Sequence, residues 1–221
     1  MTNKTIERLD FQFENNQQYV DQVFRFLHSR NLIPYAIDTE RKGDIIHTVK
    51  KQPENNSASS LGSLNMAFHT EVPQEENNPD YTLITCITGQ KGVFTDVVEL
   101  DLIIESMDWT CVNTLLSEDV VIVPNASFED REPKRIRLLY LDSEKNFCVR
   151  GNLGHITHTT PETERALRDF NSALNGVFKH TVEFTEKGQS VLIDNKRTMH
   201  NRRGDISNNE RELKRIYLKI I

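Results

Sequence analysis

Leu64-Asn65-Met66-Ala67-Phe68-His69-Thr70-Glu71 is an apolar run that ends on a histidine and a carboxylate two residues apart. On an extended chain side chains alternate between faces, so His69 and Glu71 point the same way. A His-x-Glu tripeptide alone is common and ordinarily marks a surface turn. It gains meaning from a distant second histidine, His200, which follows Val191-Leu192-Ile193-Asp194-Asn195, an apolar strand running into a turn. Two neutral imidazoles and one carboxylate form the facial ligand set of non-haem Fe(II) sites, which leaves coordination positions open for a bidentate co-substrate and O2.

Beyond His200, the segment Arg211-Glu212-Leu213-Lys214-Arg215-Ile216-Tyr217-Leu218 holds arginines four apart, and Leu213, Ile216 and Leu218 predict a partly buried strand. A guanidinium on a buried strand needs an anion, because an unpaired buried charge is costly. The planar fork of arginine matches a carboxylate bidentately. A solvated basic face on a C-terminal strand is the plainer alternative. The upstream ligand set tips the reading toward anion binding.

The stretch SSLGSLNMAFHTEVPQEENNPDYTLITCITGQKG from Ser59 to Gly92, with the later VLIDNKRTMHNR and RELKRIYL, resembles the clavaminate synthase-like and taurine dioxygenase-like Fe(II)/2-oxoglutarate-dependent oxygenases. It is more similar to the clavaminate synthase branch, which includes asparagine and arginine oxygenases and writes F-H-T-E followed by P-D-Y and a strand. Here these are Phe68-His69-Thr70-Glu71 and Pro79-Asp80-Tyr81-Thr82-Leu83. The resemblance implies that His69, Glu71 and His200 are the iron ligands and that Arg211 and Thr95 hold the distal carboxylate of 2-oxoglutarate. It further implies that Arg215 pairs with a substrate carboxylate near the metal. Asn201 stands where the family has glycine after the distal histidine. Asn152 stands near where substrate-selective members carry an acidic residue, which weakens the case for a basic substrate side chain. Family members have a longer region before F-H-T-E, so the resemblance implies fewer outer helices.

The implied cofactor is Fe(II), with 2-oxoglutarate and O2 as co-substrates, and the implied reaction hydroxylates an unactivated carbon of a free polar amino acid or close derivative. Related halogenases replace the carboxylate ligand by a small residue, so Glu71 argues for hydroxylation, with desaturation or cyclisation as variants. The competing reading from another class is a non-catalytic jelly-roll module with a structural or binding metal. Such a module needs neither Arg211 nor Thr95 and prefers closed coordination by four protein ligands.

Composition agrees. The 221 residues suit one domain with a core and a pocket. Net charge is −6 without a basic run or aromatic-spaced basic stripe, which argues against nucleic acid as a partner. No stretch is apolar enough to span a bilayer, and Met1-Thr2-Asn3-Lys4-Thr5-Ile6-Glu7 lacks a signal-peptide core. Cys86, Cys111 and Cys148 lie apart in apolar strings, as reduced structural thiols do, so a cytoplasmic location is expected.

The expected fold is mostly β with flanking helices, a double-stranded β-helix of the jelly-roll, cupin-like kind. The expected organisation is one domain over 1–221, with 1–58 a region of helix, strand and loop and 59–221 the jelly-roll core. Strands are predicted at Leu61 to Phe68, Tyr81 to Ile87, Val120 to Val123, Arg135 to Leu141, Val182 to Phe184, Val191 to Ile193 and Arg215 to Ile220. Helices are predicted from Asn16, the expected cap, with Tyr19, Val20, Val23, Phe24 and Leu27 in phase; at Val97 to Ser106; at Trp109 to Leu116; and after Thr160, with Pro161 in its first turn. The segment KQPENNSASS, Lys51 to Ser60, reads as a loop, and the resemblance implies that it lies beside the pocket mouth. Trp109 is expected in the core. His155 and His158, with Glu162 or Glu164, form a rival zinc pattern that lacks a third ligand at reliable spacing.

Overall fold

Alternation along the strands of two antiparallel sheets sorts this chain into layers and reserves one face of each sheet for the interior. The computed structural model describes residues 4–37, 43–51, 65–124, 128, 132–207 and 210–221. The elements are β1 (Ile6–Asp10), α1 (Asn16–Ser29), β2 (Leu32–Pro34), β3 (Ile46–Lys50), β4 (Met66–His69), β5 (Tyr81–Thr88), β6 (Phe94–Glu99), α2 (Leu100–Glu105), α3 (Trp109–Ser117), β7 (Val120–Ile122), β8 (Lys134–Ile136), β9 (Leu139–Leu141), β10 (Phe147–Val149), β11 (Ile156–Thr157), α4 (Pro161–Gly176), β12 (His180–Glu183), β13 (Gln189–Asp194), β14 (Thr198–Arg202) and β15 (Glu212–Ile220).

The major sheet runs β1-β13-β5-β15-β2, with β3 also on β15, and the minor sheet runs β12-β6-β14-β4. Ile84, Cys86, Val97, Val182, Val191, Ile193 and Leu213 pack together between them, contributed by both sheets. The next residues along the same strands face outward. Leu83, Leu192, Ile216 and Leu218 of the major sheet bury against Tyr19, Val23 and Leu27 of α1. Phe68, Val98 and Met199 of the minor sheet bury against Ile103 of α2, Val112 and Leu115 of α3, and Phe170 and Leu174 of α4. With both outer faces covered by helices, the fold is the expected double-stranded β-helix, mostly β with antiparallel sheets.

Local signals explain the helix ends. Asn15, rather than Asn16, caps α1 by accepting from the Gln18 amide at 3.0 Å. Thr160 and Thr163 form a reciprocal capping box at α4, with Pro161 in the first turn.

Several expectations are corrected. The helix read from Val97 begins only at Leu100; Phe94–Glu99 is strand β6 in the middle of the minor sheet, where the β-branched pair Val97 and Val98 buries on opposite faces. Arg135 to Leu141 divides into β8 and β9, which pair with β7 and β10 respectively. Trp109 is 59% exposed at the start of α3, edge-on to Phe147, and not in the core. Of the strand read from Leu61, residues 61–64 lie outside the described residues, as do residues 52–60 of the loop read from Lys51. The cysteines Cys86, Cys111 and Cys148 are free and buried.

Gly188 fixes the turn into β13. Its φ is +94°, and a Cβ there would lie 1.9 Å from the Phe11 carbonyl oxygen, which belongs to the chain segment whose amide donates to Gly188 at 3.0 Å. A side chain would meet both backbone strain and a backbone clash. Gly188→Ala is therefore expected to lower unfolding free energy by about 2 kcal/mol or more, read as a reduced denaturant midpoint; an unchanged midpoint would contradict this account of the turn.

Candidate metal centre

The centre forms where the minor sheet's edge meets the interior. Strand β14 lies between β4 and β6, and its pairing sets His200 opposite His69 on one side and opposite Val97 on the other. Cross-strand partners share a face, so both imidazoles project between the sheets with ring centroids 4.3 Å apart. Strand β4 ends at His69, and Glu71 lies just past it yet reaches the same space. Potential ligand atoms of His69, Glu71 and His200 lie within 4.8 Å of one another, and all three residues are buried.

The backbone around Glu71 is held from outside the motif. Asn195 accepts from the Glu71 amide at 2.7 Å and donates to the carbonyls of Glu71 at 3.1 Å and Pro79 at 3.0 Å. The next residue, Val72, has φ +52°, an unfavourable conformation for a β-branched side chain that persists only under such restraint. The Glu71 carboxylate has one oxygen 3.4 Å from His200 Nε2, while the other accepts from Arg215 Nη1 at 2.8 Å and Tyr217 Oη at 3.2 Å. Arg215 Nη2 donates to His47 Nδ1 at 3.2 Å, which leaves the His47 Nε2 proton to bond the Asp44 carbonyl at 2.7 Å.

Electrostatics suit a metal ligand set. Burial raises the Glu71 carboxyl, but Arg215 and the two histidines outweigh it and hold the group below the usual carboxylate range, hence ionised. Burial, reinforced by the neighbouring His200, pushes His69 down to about 4, hence neutral. The His69 Nδ1 proton bonds the Ala67 carbonyl at 2.9 Å, which turns Nε2 toward the centre. His200 Nδ1 is buried without a hydrogen-bond partner among the described residues. Ionised carboxylate, neutral imidazoles and short mutual distances fit a divalent first-row ion.

A cavity opens from the three ligands toward Thr95, Arg202 and Arg211. The inner face of β6 carries Thr95, and Arg211 sits at the entry to β15, only 2% exposed, its Nε without a hydrogen-bond partner among the described residues. Arg202 shares a strand face with His200 two residues away. Burial and the Arg211 charge push Arg202 down to about 10, and burial lowers Arg211 as well. Two guanidinium groups bordering one buried cavity make its potential positive, which favours an anion there.

The structure thus brings His69, Glu71, His200, Thr95, Arg211 and Arg215 into one region. Sequence reading missed Arg202, Asn195, Tyr217 and His47. Arg202 was legible as the same-face neighbour of His200, whereas the other three act through long-range contacts. The rival pattern stays at the surface: His158 Nε2 is 3.9 Å from Glu164 with both side chains substantially exposed. Among the described residues, His69, Glu71 and His200 are the one group with metal-ligand spacing.

Comparison with solved structures bears on the fold. An asparagine oxygenase in complex with Fe(II), 2S,3S-3-hydroxyasparagine and succinate superposes with a TM-score of 0.75 at 20% identity, over 83% of this chain and 59% of that one. The non-heme iron oxygenase OrfP in complex with Fe, succinate and (3S)-hydroxy-L-Arg gives 0.78 at 19% identity, over 99% of this chain and 76% of that one. OrfP with Fe and alpha-ketoglutaric acid gives 0.77 at 20% identity, over 98% and 75%. The chain therefore spans less than two thirds of the asparagine oxygenase. No curated protein sequence matches it. The family model for the taurine catabolism dioxygenase TauD, TfdA family matches residues 10–217, and the chain belongs to this family.

Proposed function

We propose that the protein is an Fe(II)/2-oxoglutarate-dependent dioxygenase that hydroxylates an unactivated carbon of a free polar amino acid or close derivative. The observation that carries this reading is the continuity of one cavity from His69, Glu71 and His200 to the buried cations Arg202 and Arg211. A structural metal site has no use for buried guanidinium groups next to an open coordination face. When bound, Fe(II) supplies the activation of O2 that converts 2-oxoglutarate, O2 and a C–H bond into succinate, CO2 and an alcohol.

The chain's own part is positioning and exclusion of water. Arg211 offers a bidentate fork to the distal carboxylate of 2-oxoglutarate and Thr95 a hydroxyl, with Arg202 adding positive potential beside them. Arg215 and Tyr217 hold one oxygen of Glu71, which leaves the other to face the metal. Arg215 also borders a second cavity, and on this reading it meets a substrate carboxylate there. The layered core keeps the reacting bond away from bulk solvent. One domain over 1–221 and a cytoplasmic location are part of the proposal, the latter supported by free buried cysteines. No described helix is long and apolar enough to cross a membrane.

Anaerobic protein given Fe(II) and 2-oxoglutarate together is expected to develop a weak visible charge-transfer band that neither gives alone. Amino acids screened by mass spectrometry are expected to include one that gains an oxygen as succinate accumulates. Absence of both signals would overturn the proposal.

His69→Ala, Glu71→Ala and His200→Ala are each expected to abolish Fe(II)-dependent succinate formation while circular dichroism stays near wild type. Loss of a supporting contact alone weakens metal binding about 10 to 100-fold, and loss of a ligand exceeds that. Near wild-type turnover in His200→Ala would remove that residue from the ligand set. Arg211→Lys loses the bidentate fork and is expected to raise the 2-oxoglutarate KM roughly 10 to 150-fold; an unchanged KM would move the co-substrate elsewhere.

A further inference from the structure

A second cavity lies on the side of the ligand set away from Arg211, bordered by Glu71, Gln74, Phe128, Asn152, Arg215 and Tyr217. Gln74 is only 6% exposed, and its Nε2 is buried with no hydrogen-bond partner among the described residues. A buried amide donor left unsatisfied costs free energy unless something enters to accept from it. Asn152, across the cavity, is 9% exposed, and its Oδ1 already accepts from the Gly154 amide at 3.0 Å. What Asn152 has left to offer is the N–H side of its carboxamide. An isolated bridge between His69 and Asn152 fixes it against the ligand strand.

The carboxylate bordering this cavity is already engaged. Among the described residues bordering this cavity Glu71 is the only carboxylate, and its oxygens face His200, Arg215 and Tyr217. The donors bordering it are the Gln74 and Asn152 amide N–H groups and the Arg215 guanidinium, two of whose nitrogens bond Glu71 and His47. A cationic side-chain end directed at Gln74 and Asn152 would meet amide donors, whereas an oxygen acceptor there would satisfy the Gln74 donor that burial now penalises.

On the amino-acid oxygenase reading, on which this step rests, we infer that the cavity selects a substrate whose side chain ends in a hydrogen-bond acceptor, a carboxamide or carboxylate, with Gln74 and Asn152 donating to it. Arg215 takes the carboxylate at the other end of the molecule. Gln74 and Asn152 are then specificity-determining residues, and cationic amino acids are excluded by chemistry rather than by size.

The test is a comparison of kcat/KM for hydroxylation of asparagine, glutamine, aspartate and glutamate against arginine, lysine and leucine, using purified full-length protein with Fe(II) and 2-oxoglutarate. The best acceptor-bearing amino acid is expected to exceed arginine and lysine by about 10-fold or more. Preference for a cationic or apolar amino acid would overturn the inference and leave the oxygenase reading standing. A missing charge-transfer band with Fe(II) and 2-oxoglutarate would sink that reading itself, and the inference with it. Gln74→Ala is expected to raise KM for the preferred amino acid roughly 3 to 10-fold with the band preserved as a check on folding. The same-sized Gln74→Glu combined with Asn152→Asp is expected to move selectivity toward lysine and arginine. An unchanged amino-acid KM in Gln74→Ala together with unchanged selectivity in the double variant would remove both residues from recognition.

Discussion

The Glu71–Arg215 ion pair, sealed between two sheets, is the interaction around which the remainder is arranged. A buried ion pair adds little net stability over an apolar pair, because desolvation offsets much of the attraction. Its value here is orientation. Arg215, steadied by His47, grips one oxygen of Glu71, and Asn195 grips the backbone on either side of that carboxylate. The strained Val72 conformation is the cost of turning the chain sharply after Glu71. Helices on both outer faces supply the apolar burial that lets the interior carry so many charges.

The chain is acidic overall, with a net charge of −6, yet among the described residues lining the cavity at the centre Arg202, Arg211 and Arg215 stand against the one carboxylate of Glu71. At short range in a partly desolvated cavity these local charges outweigh the screened surface field. Two cavities share His69 and Glu71 and differ in character. One holds paired guanidinium groups and a threonine hydroxyl, suited to a small dianion, while the other holds amide donors beside a single guanidinium.

Much of this was legible in the sequence because strand periodicity is a local rule. His69 and Glu71 two apart, Arg211 and Arg215 four apart, and the alternation of Leu213 with Ile216 and Leu218 state which faces these residues share. The caps of α4 were legible for the same reason. Val97-Val98 was misread because a short apolar run suits a buried strand or a helix equally, and only the neighbours β12 and β14 decide. The strands β1, β2 and β3 are short, and their pairing with β13 and β15 joins segments far apart in sequence. Asn195 and Tyr217 belong to the same class: each matters through a contact that the chain makes only once folded.

Strand β4 is the end strand of the minor sheet, a position that ordinarily presents free backbone to any passing chain. Part of this edge is instead covered by the segment after β10: the Leu153 amide bonds the Phe68 carbonyl, and just past the strand the Thr70 amide bonds the Gly151 carbonyl while the Gly151 amide bonds the Thr70 hydroxyl. The stretch that presents Asn152 to the cavity thereby also acts as a selvedge for the sheet. Diversification of this stretch toward other substrates is consequently coupled to colloidal behaviour, since a replacement that frees it from β4 uncovers a ready template for intermolecular strand addition.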